Sequence, residues 1–261
     1  MIENKFIKEK YLKEFEEVPQ AILDGIYHDF DAKILYTMVR DNCPVNILEC
    51  GPRAGKTTSV IIHALIENLV DNRNLVINYY IFEKETKWLN AIANYCKRFK
   101  GITFHYNCNL LDFNYAKMPE LDFLFIDANH DYILAKWYIK YLFPLVRKEG
   151  LIHIHDIYYN KHGNGWHDAL FLNSGGFPKH HDYTDLNILK KLYGDVFDEF
   201  FDGNPDIDRD EADEIYDYIK KHPKINFLST LELYESCDDE SDVKRDKVPP
   251  CSLYFIKEKN E

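Results

Sequence analysis

The chain has 261 residues, 46% of them hydrophobic, and a formal net charge of −12 from 32 basic and 44 acidic side chains. That composition belongs to a globular chain, and its negative balance opposes phosphate contacts, so no nucleic-acid partner is expected. No apolar run approaches the ~20 residues of a bilayer span, the first residues hold no signal-peptide core, and the six cysteines include no CxxC pair, so a cytosolic protein with reduced thiols and no membrane partner is expected.

Residues 1 to about 42 read as helices. Ile7, Tyr11 and Phe15 recur at helical spacing, and Ile26, Phe30, Ile34 and Met38 repeat it before Pro44. Strand-like runs then alternate with helices. VNILE (45–49) leads to a helix with Ile61, Ala64, Leu65 and Leu69 on one face. LVINYYIFE (75–83), a helix over 85–99, ITFHYN (102–107) and LDFLFID (121–127) follow. A helix carrying Ile133, Trp137 and Tyr141, with Pro144 and Gly150 near and beyond its end, precedes LIHIHD (151–156). Crossovers of this length give a largely parallel sheet covered on both faces. The stretch from Tyr158 to about Lys224 breaks the rhythm, beginning with a polar run rich in glycine and histidine. NFLSTLELY (226–234) and CSLYFIKEK (251–259) read as closing strands joined by a charged, solvated loop. The expected division is a helical extension over 1–44 and an α/β domain over 45–261 with an insertion at 158–224.

ECGPRAGKTT (49–58) lies where the first strand meets the first long helix, and two chemistries compete for it. A P-loop NTPase or kinase wraps phosphate with GxxxxGK[ST]. Here only three residues separate Gly51 from Gly55-Lys56-Thr57, and Cys50 holds the required glycine position. In a doubly wound nucleoside-binding turn, glycines let the backbone approach the ligand and an acid at the end of the next strand accepts the ribose hydroxyls. Glu83, at the end of YYIFE, stands where that acid belongs.

The pattern E-x-G-x-x-x-G-x-T-T, followed by a strand ending F-E, resembles the class I S-adenosylmethionine (SAM)-dependent methyltransferases. More narrowly, it is similar to the branch of macrocin-type sugar O-methyltransferases and cephalosporin hydroxylase-like proteins. The resemblance runs from about Asn46 to Asp156. It implies a Rossmann-like sheet of seven mostly parallel strands, the last antiparallel and slotted between its neighbours. It also implies SAM as cofactor, held by Glu49, Gly51, Gly55 and Glu83. The adenine contact is expected after the third strand, from Asn107, Cys108 or Asn109, with Asn109 carried into the binding set. Lys56 either approaches a ligand carboxylate or lies in solvent.

FIDANHDY (125–132) carries the second signal. Its strand ends in Asp127 at the carboxyl edge of the sheet, where doubly wound folds bind ligands, and His130 follows. LIHIHD ends in His155 and Asp156, with His153 and His155 on one face by alternation. Two carboxylates and an imidazole can hold a hard divalent ion. In the resembled sugar O-methyltransferases the aspartate of I-D-x-x-H is a metal ligand and the histidine a general base, which makes Asp127 a ligand and His130 the base. The acidic pair those proteins carry at the next strand end is His155-Asp156 here. The metal set is then Asp127, His155 and Asp156, and the ion is Mg²⁺, Mn²⁺ or absent. The implied reaction is O-methylation of a small polar acceptor, most plausibly a sugar; the competing non-enzymatic reading is a binding protein that kept the fold. His153 reads as a core histidine and Asp131 as a helix N-terminal residue. The insertion, with His162, His167, His180, His181, Trp166 and Tyr183, reads as a substrate lid hinged at Gly163, Gly165, Gly175 and Gly176. The N-terminal helices are expected to cover the pocket or to make the contact of a homo-oligomer.

Overall fold

The computed structural model describes residues 9–16, 27, 29–160, 165–168, 186–203, 211–235 and 251–257. Two helices come first, α1 (Glu9–Glu16) and α2 (Asp29–Asn42). Strand and helix then alternate through β1 (Asn46–Cys50), α3 (Lys56–Asp71), β2 (Ile77–Phe82), α4 (Thr86–Cys96), β3 (Ile102–Asn107), β4 (Leu121–Ile126), α5 (Tyr132–Tyr141) and β5 (Val146–Ile154). A hairpin, β6 (Ile157–Asn160) and β7 (Gly165–Asp168), precedes α6 (Leu186–Tyr193), α7 (Asp195–Phe200) and α8 (Glu211–Lys221). β8 (Asn226–Ser229), α9 (Thr230–Glu235) and β9 (Leu253–Ile256) close the chain.

Seven strands form one sheet in the order β3-β2-β1-β4-β5-β9-β8. The first five run parallel, and β9 lies antiparallel between β5 and β8. This is the expected doubly wound, Rossmann-like sheet, with its antiparallel strand in the expected slot. The strands are apolar on both faces because helices cover both. Ile47, Tyr79, Ile81, Phe123 and Phe125 pack with α2, α3 and α4. Leu48, Leu124, Ile126, Ile152 and Phe255 pack with α5, α6, α7 and α8 on the other face.

α1 is tied to this body by one cation. The buried Arg40 of α2 pairs with Glu14 at 2.5 Å and with Asp71 of α3 at 2.9 Å. Tyr11 is buried, and Phe15 meets Tyr36 edge-on at 5.4 Å. Ile7 and Ile26 lie outside the described residues.

Three elements differ from the sequence expectation. NFLSTLELY is not one strand: β8 stops at Ser229, and Thr230 turns the chain into α9 by bonding Ser252 O through both its backbone N–H (2.9 Å) and its hydroxyl (3.1 Å). β5 begins at Val146 and therefore contains Gly150, with a register shift opposite Leu121–Phe123. The polar stretch after Tyr158 holds a short antiparallel hairpin, β6–β7. Its strands are only four residues each, IYYN and GWHD, too short and mixed for a strand signal by pattern alone.

Candidate functional site

The parallel strands end in step at their carboxyl edge. Cys50 is level with Phe82 and Ile126, and Ile126 with Ile154. The residue after each end still bonds its neighbour: Gly51 N–H to Phe82 O, Asp127 N–H to Cys50 O and His155 N–H to Ile126 O, each at 2.9 Å. Gly51, Glu83, Asp127 and His155 therefore stand side by side where the sheet opens. Gly51 (φ +80) is needed for this closeness, because a Cβ on it would sit 1.8 Å from Asp127 O. Gly55, with φ 94, caps α3 in a left-handed conformation.

The two acids beside this turn are held differently. Glu49 is fully buried and accepts three hydroxyls, from Thr57 (2.6 Å), Thr58 (2.7 Å) and Tyr79 (2.7 Å). The side chains of Thr57 and Thr58 tie α3 to the end of β1 through this carboxylate. Burial lifts its pKa to about 7, against the lowering effect of the three hydroxyls. Glu83 accepts one backbone N–H on each oxygen, Arg53 on Oε2 and Glu85 on Oε1, both at 2.8 Å. Burial raises its pKa as well. Each Glu83 oxygen keeps further lone-pair capacity. Asn109 is exposed and engaged in its own turn, where Oδ1 accepts from Leu111 N and Asp112 N and Nδ2 donates to Asp112. Lys56 Nζ bonds Tyr27 O at 2.6 Å and Asp29 at 3.1 Å, so it ties the segment before α2 to the turn.

Asp127, His130, His155 and Asp156 converge. Asp127, His130 and Asp156 each bring a ligand atom within 4.8 Å of the others. His130 Nε2 is 3.3 Å from Asp156, and His155 Nδ1 is 3.4 Å from Asp127 and 3.5 Å from Asp156. Asp156 reaches this position from a left-handed backbone (φ 61) that turns the chain from β5 into β6. Asp131 is the helix cap that the sequence suggested: its side chain accepts Leu134 N at 3.0 Å and also Tyr193 OH.

His153 and His155 lie on the same face, two residues apart, and shift in opposite directions. Burial drives His153 well below the usual imidazole range, and the neighbouring His155 adds to this. Burial also opposes the charge of His155, but Cys251, Asp156 and Asp127 around it hold its pKa well above that range.

Sequence reading missed several partners. Glu211 Oε2 is 2.7 Å from His130 Nδ1, Tyr138 OH donates to Glu211 Oε1 at 2.6 Å, and Glu211 N–H bonds His130 O at 3.1 Å. Glu211 is 81 positions from His130 and carries no motif; its place as the first residue of an acidic helix was the only local signal. Asp31 and Cys251, both buried, approach His155 from α2 and from the entry to β9. Of the expected lid, His162, Gly163, Gly175, Gly176, His180, His181 and Tyr183 lie outside the described residues. Gly165, Trp166 and His167 lie in β7.

Residues 48–157 match the family described as a methyltransferase domain. No curated protein matches the chain. Among solved structures the chain is similar to the SAH-bound methyltransferase of Podospora anserina, at 13% identity and TM-score 0.51, covering 96% of this chain and 87% of that one. It is similar to the Bacillus cereus O-methyltransferase in complex with SAH (16% identity, TM-score 0.50, 98% and 94% covered). It is also similar to the Streptomyces achromogenes O-methyltransferase TomG, involved in tomaymycin synthesis, in complex with SAM (11% identity, TM-score 0.51, 98% and 93% covered). No helix among the described residues is long and apolar enough to cross a membrane. Residues 48–157 thus match a methyltransferase-domain family, within a chain whose seven-stranded sheet has the Rossmann-like methyltransferase fold.

Proposed function

We propose that this chain transfers a methyl group from SAM to a hydroxyl of a small polar acceptor, a sugar or glycoside, with His130 as general base. The observation that carries this reading is the Glu211–His130 pair, set beside Asp127 and Asp156 at the ends of β4 and β5, with β4 next to the Gly51 turn.

The Gly51–Gly55 turn and Glu83 would hold the cofactor. Glu83 fits because each of its oxygens spends one acceptor site on a backbone N–H and keeps room for a ribose hydroxyl. Glu49, fully buried with three hydroxyls on its two oxygens, supports the turn from beneath. SAM supplies an electrophilic sulfonium methyl when bound.

The acceptor hydroxyl is a weak nucleophile until its proton is taken. Glu211 accepts the Nδ1–H of His130, which leaves Nε2 as the lone-pair nitrogen that receives the proton. Tyr138 OH fixes the second oxygen of Glu211, so the imidazole is held from behind. Asp156, 3.3 Å from Nε2, stabilises the imidazolium that results. The two carboxylates of Asp127 and Asp156 form a donor set that suits a hard divalent ion, and they would hold one where the reaction uses it to stabilise the developing alkoxide.

The P-loop reading has less support. Lys56, which that reading needs on a phosphate, is spent on Tyr27 O and Asp29. Transfer of label from isotopic SAM to a panel of sugars and glycosides tests the proposal, with SAH binding measured alongside. Thermal stabilisation by ATP–Mg²⁺ and not by SAH would overturn it.

A further inference from the structure

A second cluster lies next to the crevice but belongs to a different set of elements. Asp31 (α2), His155 (end of β5) and Cys251 (entry to β9) each place a ligand atom within 4.8 Å of the other two. All three are buried, and Asp31 is 0% exposed. Asp31 Oδ2 accepts Cys251 N–H at 3.1 Å, whereas Asp31 Oδ1 is enclosed and has no hydrogen-bond partner among the described residues. A buried carboxylate oxygen without a partner is costly unless something sits against it. His155 turns Nε2 toward Cys251 Sγ (3.5 Å), while its Nδ1 lies 3.4 Å from the Asp127 carboxylate without closing a hydrogen bond to it. Metal-bound histidines commonly put one nitrogen on the ion and face a carboxylate with the other.

We propose that Asp31, His155 Nε2 and Cys251 Sγ form a zinc-type metal site that clamps α2 and the entry of β9 to the end of β5. One sulfur, one nitrogen and one oxygen donor make a set for Zn²⁺ rather than for Mg²⁺ or Ca²⁺. The Cys251 thiol releases its proton to solvent on metal uptake, and carboxylate plus thiolate neutralise the dication within the buried site. The ring of Tyr27, 4.7 Å from His155, covers the cluster from the N-terminal side. The site shares no ligand atom with the Asp127–His130–Asp156 group.

Cobalt(II) titration of the full chelator-treated chain tests this. The expected result is one Co²⁺ per chain with a near-ultraviolet sulfur-to-cobalt charge-transfer band, displaced by Zn²⁺. Cys251→Ser should abolish the band. Asp31→Asn should keep the band but weaken binding by at least about 10–100-fold, the loss seen when even an outer partner of a ligand is removed. Asp127→Asn and a Cys43→Ser/Cys108→Ser double variant, which removes two exposed thiols, should leave the band in place. Absence of the band in the wild-type chain, or its survival in Cys251→Ser, overturns the site even if a variant folds poorly. Neither result bears on methyl transfer, which the labelled-SAM assay reads separately.

Discussion

The two ends of the crevice treat buried acids in opposite ways. At the β1–β2 end, Glu49 has a hydroxyl donor for each of three acceptor positions, and Glu83 has a backbone N–H on each oxygen. At the β4–β5 end, Asp127 and Asp156 face histidines across 3.3–3.5 Å gaps and bring carboxylate oxygens within 4.8 Å of each other. The first arrangement fixes a shape and is satisfied without a ligand. The second brings like charges and proton carriers together, which is costly for folding and useful for chemistry. On the proposed function, the first end grips the cofactor and the second carries out the chemistry.

The largest expected effect comes from the reacting end. His130→Ala should lower turnover by about 10²–10⁴-fold, the usual contribution of a general base, while SAH affinity stays near that of the wild type. Equal losses in both measurements would erase the distinction between the ends. Next comes Glu49. Its native pKa of about 7 lies above the unfolded value of 4.5, so the native state binds more protons between them. Stability contributed by protonated Glu49 is then full below pH 4.5 and lost as pH rises through 7, a change on the order of 3 kcal/mol. Denaturant midpoints across this range should fall more steeply for the wild type than for Glu49→Gln; parallel curves would contradict the assignment.

Glu211→Gln tests how the base is held. It should reduce kcat by roughly 10–100-fold with little change in SAH binding, and the acid limb of the pH–rate profile should move to lower pH because an amide no longer stabilises the imidazolium. A uniform loss with an unmoved profile would reduce Glu211 to a packing role. The smallest effect belongs to Lys56→Met. Its pair with the exposed Asp29 is worth less than about 1 kcal/mol, and SAH binding should survive. Loss of all nucleotide-type binding in this variant would revive the phosphate-binding alternative.

The sequence made the sheet legible because β-branched and aromatic runs ended, one after another, at glycine or acid. Gly51, Glu83, Asp127, His155 and Asp156 could be placed on one edge before any coordinates, since parallel strands in register must end together. Glu211, Tyr138, Asp31 and Cys251 could not. Each reaches the site by tertiary packing across long separations, and helical periodicity says which face is buried but not which neighbour it meets. The stop at Ser229 was hidden for the same reason, whereas the hairpin after β5 was missed because its four-residue strands carry too weak a local pattern. The bonds of Thr230 to Ser252 come from a segment 22 positions away.

The bare α-carbon at position 51 has a consequence for tracing faults in this protein. The Gly51 turn, proposed to hold the cofactor, and the main chain of Asp127 touch there with no slack. A single added methyl would therefore push against the Asp127 main chain and, on the proposed function, block the nucleoside as well. An alanine at that spot would look like a binding defect and a chemical defect at once, although no reacting group had been changed.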